Sequence, residues 1–177
     1  LRLCMLLSAL ALLLPAVRAA AQSGGNTLYL PVVGKSQVQP VTAVLKWAYG
    51  GCYSSWCETG WYSSPAVLDI DGDGRDEIIA SAYSLWALNG ETGALVWRSG
   101  GTSHRTWPGV VVADLDRDGT SEIVIAQSGG LVSAYRPDGS LKWQKQPSGG
   151  AGEFRGLLAA DLDGNNGPLE VIVTRAY

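Results

Sequence analysis

Asp69-Ile70-Asp71-Gly72-Asp73-Gly74-Arg75-Asp76-Glu77 is the stretch from which the rest of the chain is read. Its aligned carboxylates fall at relative positions 1, 3, 5 and 9, with glycines at 4 and 6. Like charges crowded this closely are unfavourable unless a cation sits among them. Hard cations such as calcium take several oxygen ligands from one tight loop. Gly72 and Gly74 let the backbone wrap without a Cβ clash. The pattern recurs at Asp114, Asp116, Asp118, Gly119 and Glu122, and in altered form at Asp161, Asp163, Asn165 and Glu170. Two loops in register plus a variant point to a repeated cation-binding unit.

Position 12 argues against the helix–loop–helix version of such a site. That version needs a bidentate Glu there, whereas position 12 is Ala80 in the first loop and Ile125 in the second. The chain instead continues as Ile78-Ile79-Ala80 and Ile123-Val124-Ile125, short runs of strand type. Each loop is therefore expected to join two strands. In the first, Asp69, Asp71, Asp73 and Glu77 would supply side-chain oxygens and Arg75 its carbonyl. In the second, Asp114, Asp116, Asp118 and Glu122 would do so, with the carbonyl of Thr120. Asp76 and Arg117 are expected to face solvent. The third loop has Asn165 for the position-5 Asp, Asn166 for a Gly, and one extra residue before Glu170. Weaker binding, or none, is expected there. Calcium suits these oxygen donors better than magnesium, which keeps more of its water, or zinc, which favours His and Cys. The ions would mainly pin strand connections; a calcium-bridged contact with a partner is the other reading.

A second marker repeats beside the first. An apolar strand is read at Val44-Leu45-Lys46-Trp47, and the phrase returns as Leu95-Val96-Trp97 and Leu141-Lys142-Trp143, so the Trp spacings are 50 and 46. The acidic loops start 45 and 47 residues apart. One unit reads as strands at 66–68, 77–83, 85–88 and 94–98, the next at 110–113, 122–127, 131–135 and 141–144, and a third begins at 157–160 and 170–174. Asn89-Gly90-Glu91-Thr92-Gly93 and Pro137-Asp138-Gly139 are the reversals between outer strands. Four antiparallel strands at a period near 46 fit an all-β fold of β-propeller blades, about two and a half of them over 44–177. A β-sandwich is the alternative.

Residues 1–21 read as an export signal: Arg2, an apolar run over Leu6–Leu14, and Ala19-Ala20-Ala21 before Gln22. An uncleaved anchor is the other reading of that run. Residues 22–43 read as a linker. Cys52 and Cys57 make an even pair, read as a local disulfide in an exported chain rather than a two-Cys metal site. The formal net charge of −3 comes with no basic run, which argues against nucleic acid as a partner. The chain is expected to be secreted or at the cell surface.

The Asp-x-Asp-Gly-Asp-Gly-x-x-Glu loop before an Ile/Val strand resembles the FG-GAP and VCBS repeats, the calcium-loop blades of integrin α-type propellers, over residues 66–177. The resemblance implies calcium ligands at Asp69, Asp71, Asp73 and Glu77, and at Asp114, Asp116, Asp118 and Glu122. Family members often carry Asp where Glu77 and Glu122 stand. The Phe-Gly and Gly-Ala-Pro phrases of the repeat are not evident. Leu85 to Trp97, and more loosely Val132 to Trp143, is similar to the outer strands of PQQ-type quinoprotein blades.

These features imply an exported calcium-binding or adhesion module with an extracellular protein or carbohydrate ligand. The alternative is the amino-terminal part of a propeller enzyme, a quinoprotein or polysaccharide lyase, with its catalytic residues outside these residues. Further blades, or copies of the chain, are expected to close the ring. No catalytic set is read: His104 lacks a visible nucleophile or base partner, and no Gly-x-Ser-x-Gly or His-Glu-x-x-His occurs. Trp56, Trp61 and Trp107 are read in loops, covering gaps between sheets or stacking on a ligand.

Overall fold

The structure, a computed structural model, describes residues 43–53, 56–58, 61–147 and 152–176. The expected signal over 1–21 and the linker as far as Thr42 lie outside those residues. A short hairpin comes first, β1 (Cys52–Tyr53) and β2 (Trp56–Cys57), so Trp56 stands on a strand and not in a loop. The Cys52–Cys57 disulfide closes it across the Cys52↔Cys57 register pair.

Two four-stranded antiparallel sheets follow, each in simple sequence order. The first holds β3 (Ala66–Leu68), β4 (Glu77–Ser81), β5 (Leu85–Asn89) and β6 (Leu95–Ser99). The second holds β7 (Val111–Ala113), β8 (Glu122–Gln127), β9 (Leu131–Tyr135) and β10 (Leu141–Lys145). A third sheet pairs β11 (Glu153–Ala160) with β12 (Glu170–Ala176). The only helical element among the described residues is a single 3-10 turn, Ser128–Gly130. The chain is therefore all-β, with strands close to where the sequence places them.

Strand alternation sorts side chains into two cores. Ile79, Leu85 and Ala87 of the first sheet meet Ile123, Ile125 and Tyr135 of the second. Val124, Ala126, Val132 and Ala134, on the other face of the second sheet, meet Phe154, Leu157, Val171 and Val173 of the third. Every residue of β8 is buried because its sheet is covered on both faces. This is why the strand reads as an unbroken apolar run and not as an alternating one.

The Trp repeat has a physical cause that sequence spacing did not reveal. Trp97 of β6 donates its indole N–H to the Pro137 carbonyl at 3.0 Å, in the outer turn of the next unit. A Cβ on Gly139 would lie 2.8 Å from the Trp97 ring, and Gly139 has φ +81°. Trp47 repeats the arrangement one unit earlier. Its N–H meets the Gly90 carbonyl at 3.1 Å, and its ring would lie 2.6 Å from a Cβ on Gly93, at φ +72°. Each Trp thus latches onto the following hairpin turn, and glycine is needed there for both conformation and close approach. The Val44–Trp47 segment is not a strand, contrary to expectation. A strand exists only as a ladder, and no described strand runs beside it. Val44 and Leu45 are over 80% exposed, and the segment engages the first sheet's turn through Trp47 and the Lys46 ammonium, both of which donate to the Gly90 carbonyl.

Gly139→Ala is expected to lower stability by about 2 kcal/mol, from the left-handed backbone cost plus displacement of the Trp97 ring. Urea unfolding of the full chain checks this.

Candidate functional site

The acidic loops all lie at one end of the sheets, between the first and second strand of each unit. They share one internal design. The first Asp turns its carboxylate back onto the loop's own N–H groups. Asp69 accepts from Gly72 at 2.7 Å, Asp73 at 3.2 Å and Gly74 at 2.8 Å. Asp114 accepts from Asp118 at 3.0 Å and Gly119 at 2.9 Å. Asp161 accepts from Gly164 at 2.7 Å and Asn166 at 3.1 Å. The Glu that opens the next strand reaches back to the N–H of the second loop residue. Glu77 accepts from Ile70 at 3.3 Å, Glu122 from Leu115 at 2.9 Å, and Glu170 from Leu162 at 2.9 Å. The extra residue of the third loop therefore does not break the closure.

Three carboxylates converge in each loop: Asp69, Asp71 and Glu77; Asp114, Asp116 and Glu122; Asp161, Asp163 and Glu170. Within each set the oxygens offered lie within 4.8 Å of one another. The donors are all oxygens, with no His or Cys among them, a set that could hold a hard metal ion. The position-5 residues stand outside these sets. Asp73 accepts the Arg75 N–H at 2.8 Å, Asp118 the Thr120 N–H at 2.8 Å, and Asn165 donates to Asp163 at 2.6 Å. Arg75 itself forms an exposed pair with Glu91 at 3.3 Å.

The three loops differ in the cations that reach them from elsewhere in the chain. Lys142, on β10, places its ammonium 2.7 Å from both Asp116 and Glu122, and 3.9 Å from Asp118. Its hydrogen bonds to Asp116 and Glu122 raise its pKa, and the Asp116 carboxyl is held low chiefly by the same lysine. Arg117, expected to face solvent, instead donates to Asp161 at 3.0 Å and to the Gly167 carbonyl in the third loop. Among the described residues, no lysine or arginine from elsewhere in the chain pairs with the carboxylates of the first loop. The residue matching Lys142 in the Leu-x-Trp phrase of β6 is Val96. Asp69 is kept low mainly by the Gly74 N–H and not by a charged neighbour.

No protein-family model matches the chain, and no curated protein does. Among solved structures, the biofilm matrix protein Bap1 of V. cholerae is similar over 72% of this chain, with a TM-score of 0.56 and 23% identity. The chain spans about a quarter of the length of that structure's chain. At this identity the likeness concerns the fold.

The opposite end of the sheets has different chemistry. Glu58 is fully buried there and was not singled out by the sequence. It accepts from the backbone N–H of Tyr83 at 2.9 Å and of Ser84 at 3.0 Å, from the Ser84 hydroxyl, and from the Trp86 indole at 3.3 Å. Arg98 pairs with it at 3.2 Å. Burial pushes its carboxyl up, but the Ser84, Tyr83 and Trp86 donors outweigh burial and hold it below the ordinary value. Nearby, the loop from β6 to β7 is tied to both large sheets. Thr106 donates its N–H to Ala82 at 2.8 Å and bridges Gln127, while Gln127 holds the carbonyls of Tyr83 at 2.7 Å and His104 at 2.9 Å. This loop presents Arg105 and Trp107 beside Tyr62 and Tyr83. Trp61 packs against Trp86 at 6.2 Å between centroids.

Glu58 favours its ionised form when folded, so its stabilising effect is whole above the ordinary glutamate range. The effect is lost as pH falls through the lowered folded value. The urea midpoint is expected to hold steady above about pH 5 and to fall below it. Glu58→Gln is expected to cost about 2 kcal/mol at neutral pH and to flatten part of that acid slope.

Proposed function

We propose that this chain is an exported, calcium-stabilised β-propeller segment of the FG-GAP/VCBS type, serving as a binding or adhesion module. The observation that carries the reading is the threefold recurrence of an Asp–Asp–Glu cluster at one end of three stacked antiparallel sheets. Such recurrence argues for a structural ion at each strand connection rather than for one reactive centre. Calcium suits the all-carboxylate set, the short loop and the exposed rim. The stacked four-stranded units at a period near 46 support blades. A disulfide and a structural neighbour described as a biofilm matrix protein both fit a place outside the cell.

On this reading the first loop is the strongest site. Lys142 stands among the carboxylates that an ion in the second loop would need, and Arg117 already neutralises part of the third. Calcium in the second loop must displace an ammonium that makes two short charge-assisted hydrogen bonds.

Calorimetry on the full chain is expected to show calcium binding led by one site. Melting should rise in calcium relative to chelator, by the equivalent of about 2.7 kcal/mol per site at a hundredfold excess over Kd. Asp69→Asn should remove the leading site. Lys142→Met should strengthen the second by at least about tenfold, because the ammonium's two charge-assisted hydrogen bonds no longer have to be displaced. A folded chain that binds no calcium would overturn the reading and leave the loops as acidic turns.

A further inference from the structure

We infer that the end of the sheets opposite the acidic loops carries a separate binding site for a carboxylate-bearing glycan, built on Tyr62, Trp107, Arg105 and Arg155. The inference rests on the binding-module reading and gives it a ligand class.

The charge distribution is the first support. The acidic loops and the outer turns beside them hold every Asp and Glu of the chain except Glu58 and Glu153. Glu58 is buried against Arg98, and Glu153 pairs with Arg155. The opposite end also carries Arg105, Lys145 and Arg175, so an otherwise acidic protein presents one basic face. Such a face favours an anionic partner.

The second support is the arrangement of the rings. Tyr62 is 63% exposed, large for an aromatic residue, yet its ring is held by stacking on Trp107 at 5.0 Å and 26°. The Arg155 guanidinium lies 4.2 Å from the Trp107 ring centroid. Arg105 lies 4.3 Å from the Tyr83 ring and 5.4 Å from that of Tyr62. The rings keep both guanidiniums in place by cation–π contact. The Trp107 indole N–H is buried without an acceptor among the described residues, an unsatisfied donor within the same cluster. The loop bearing Arg105 and Trp107 is anchored by Thr106 and Gln127, so the group is preorganised.

An exposed, rigid aromatic face beside fixed guanidiniums matches one ligand chemistry well. A pyranose ring lays its C–H face on Tyr62, and its carboxylate takes the planar donors of an arginine. A purely acidic peptide would use the guanidiniums without needing the exposed Tyr62 ring that Trp107 backs.

The test uses the full chain, with and without calcium. Calorimetry is run with oligogalacturonate, its methyl ester, and oligoglutamate of matched charge. Oligogalacturonate is expected to bind, more weakly at high salt, with the methyl ester and oligoglutamate at least tenfold weaker. Tyr62→Ala should weaken binding by about tenfold, and Arg155→Gln by about fivefold. Neither variant should change the melting temperature or the calcium titration. Equal binding of oligoglutamate would make the face an acidic-peptide site and overturn the inference, as would equal binding of the methyl ester. Binding that survives Tyr62→Ala would mean a uronate held elsewhere, such as through calcium at the loops, and would also overturn it. So would a folded chain that binds none of the three. Loss of calcium binding with Tyr62-dependent glycan binding intact would sink the calcium reading and leave this one standing.

Discussion

Each unit depends on one carboxylate that folds its own loop. Asp69, Asp114 and Asp161 accept N–H groups from residues three to five positions further on. The glutamate opening the next strand then closes the loop from the other side. These contacts set the distance between first and second strands, and with it the register on which the two cores rest. Glu77 and Glu122 are almost fully buried although they sit beside an exposed acidic turn. Such burial requires hydrogen-bond donors, and the N–H groups of Ile70 and Leu115 supply them. The loop is thus shaped by backbone hydrogen bonds, and a cation has to join carboxylates that already have partners.

The two ends of the sheets consequently do different work. At the acidic end the loops concentrate negative charge, and the tryptophan latches hold neighbouring units in step. At the other end Glu58 gathers donors from the β4–β5 turn, β5 and β6 onto one buried carboxylate, and Thr106 and Gln127 bind the crossover loop to both large sheets. The crossover is rigid enough to display side chains because its backbone groups are satisfied by the sheets it joins.

Local patterns were legible in the sequence, and contacts between distant residues were not. The strands of both large sheets and the Asp–Asp–Glu sets could be read because their members lie within about ten residues of one another. A period-two or loop signal is complete at that range. The Trp47 phrase misled for the same reason. It copies Trp97 and Trp143 in sequence, but strand formation needs a neighbour that sequence similarity does not provide. Lys142 and Arg117 escaped notice because their partners lie 20 and 44 residues away. Glu58 sits in no motif, and its importance comes from donors 25 to 40 residues further along.

The position of Lys142 shows how a repeat can keep its shape while its copies diverge. Lys142, before Trp143, reaches the acidic loop of its own unit and balances it, whereas the matching position before Trp97 is the uncharged Val96. Balancing by lysine or by Arg117 makes a loop less dependent on an external ion, because fixed charge compensation needs no ligand concentration. The first loop, which no described lysine or arginine from elsewhere balances, keeps its negative charge offset only by its own N–H groups. Its sheet also holds Glu58 and the Trp47 latch. The unit that keeps this charge is also tied by a buried carboxylate network and an indole hydrogen bond, ties that need no bound ion.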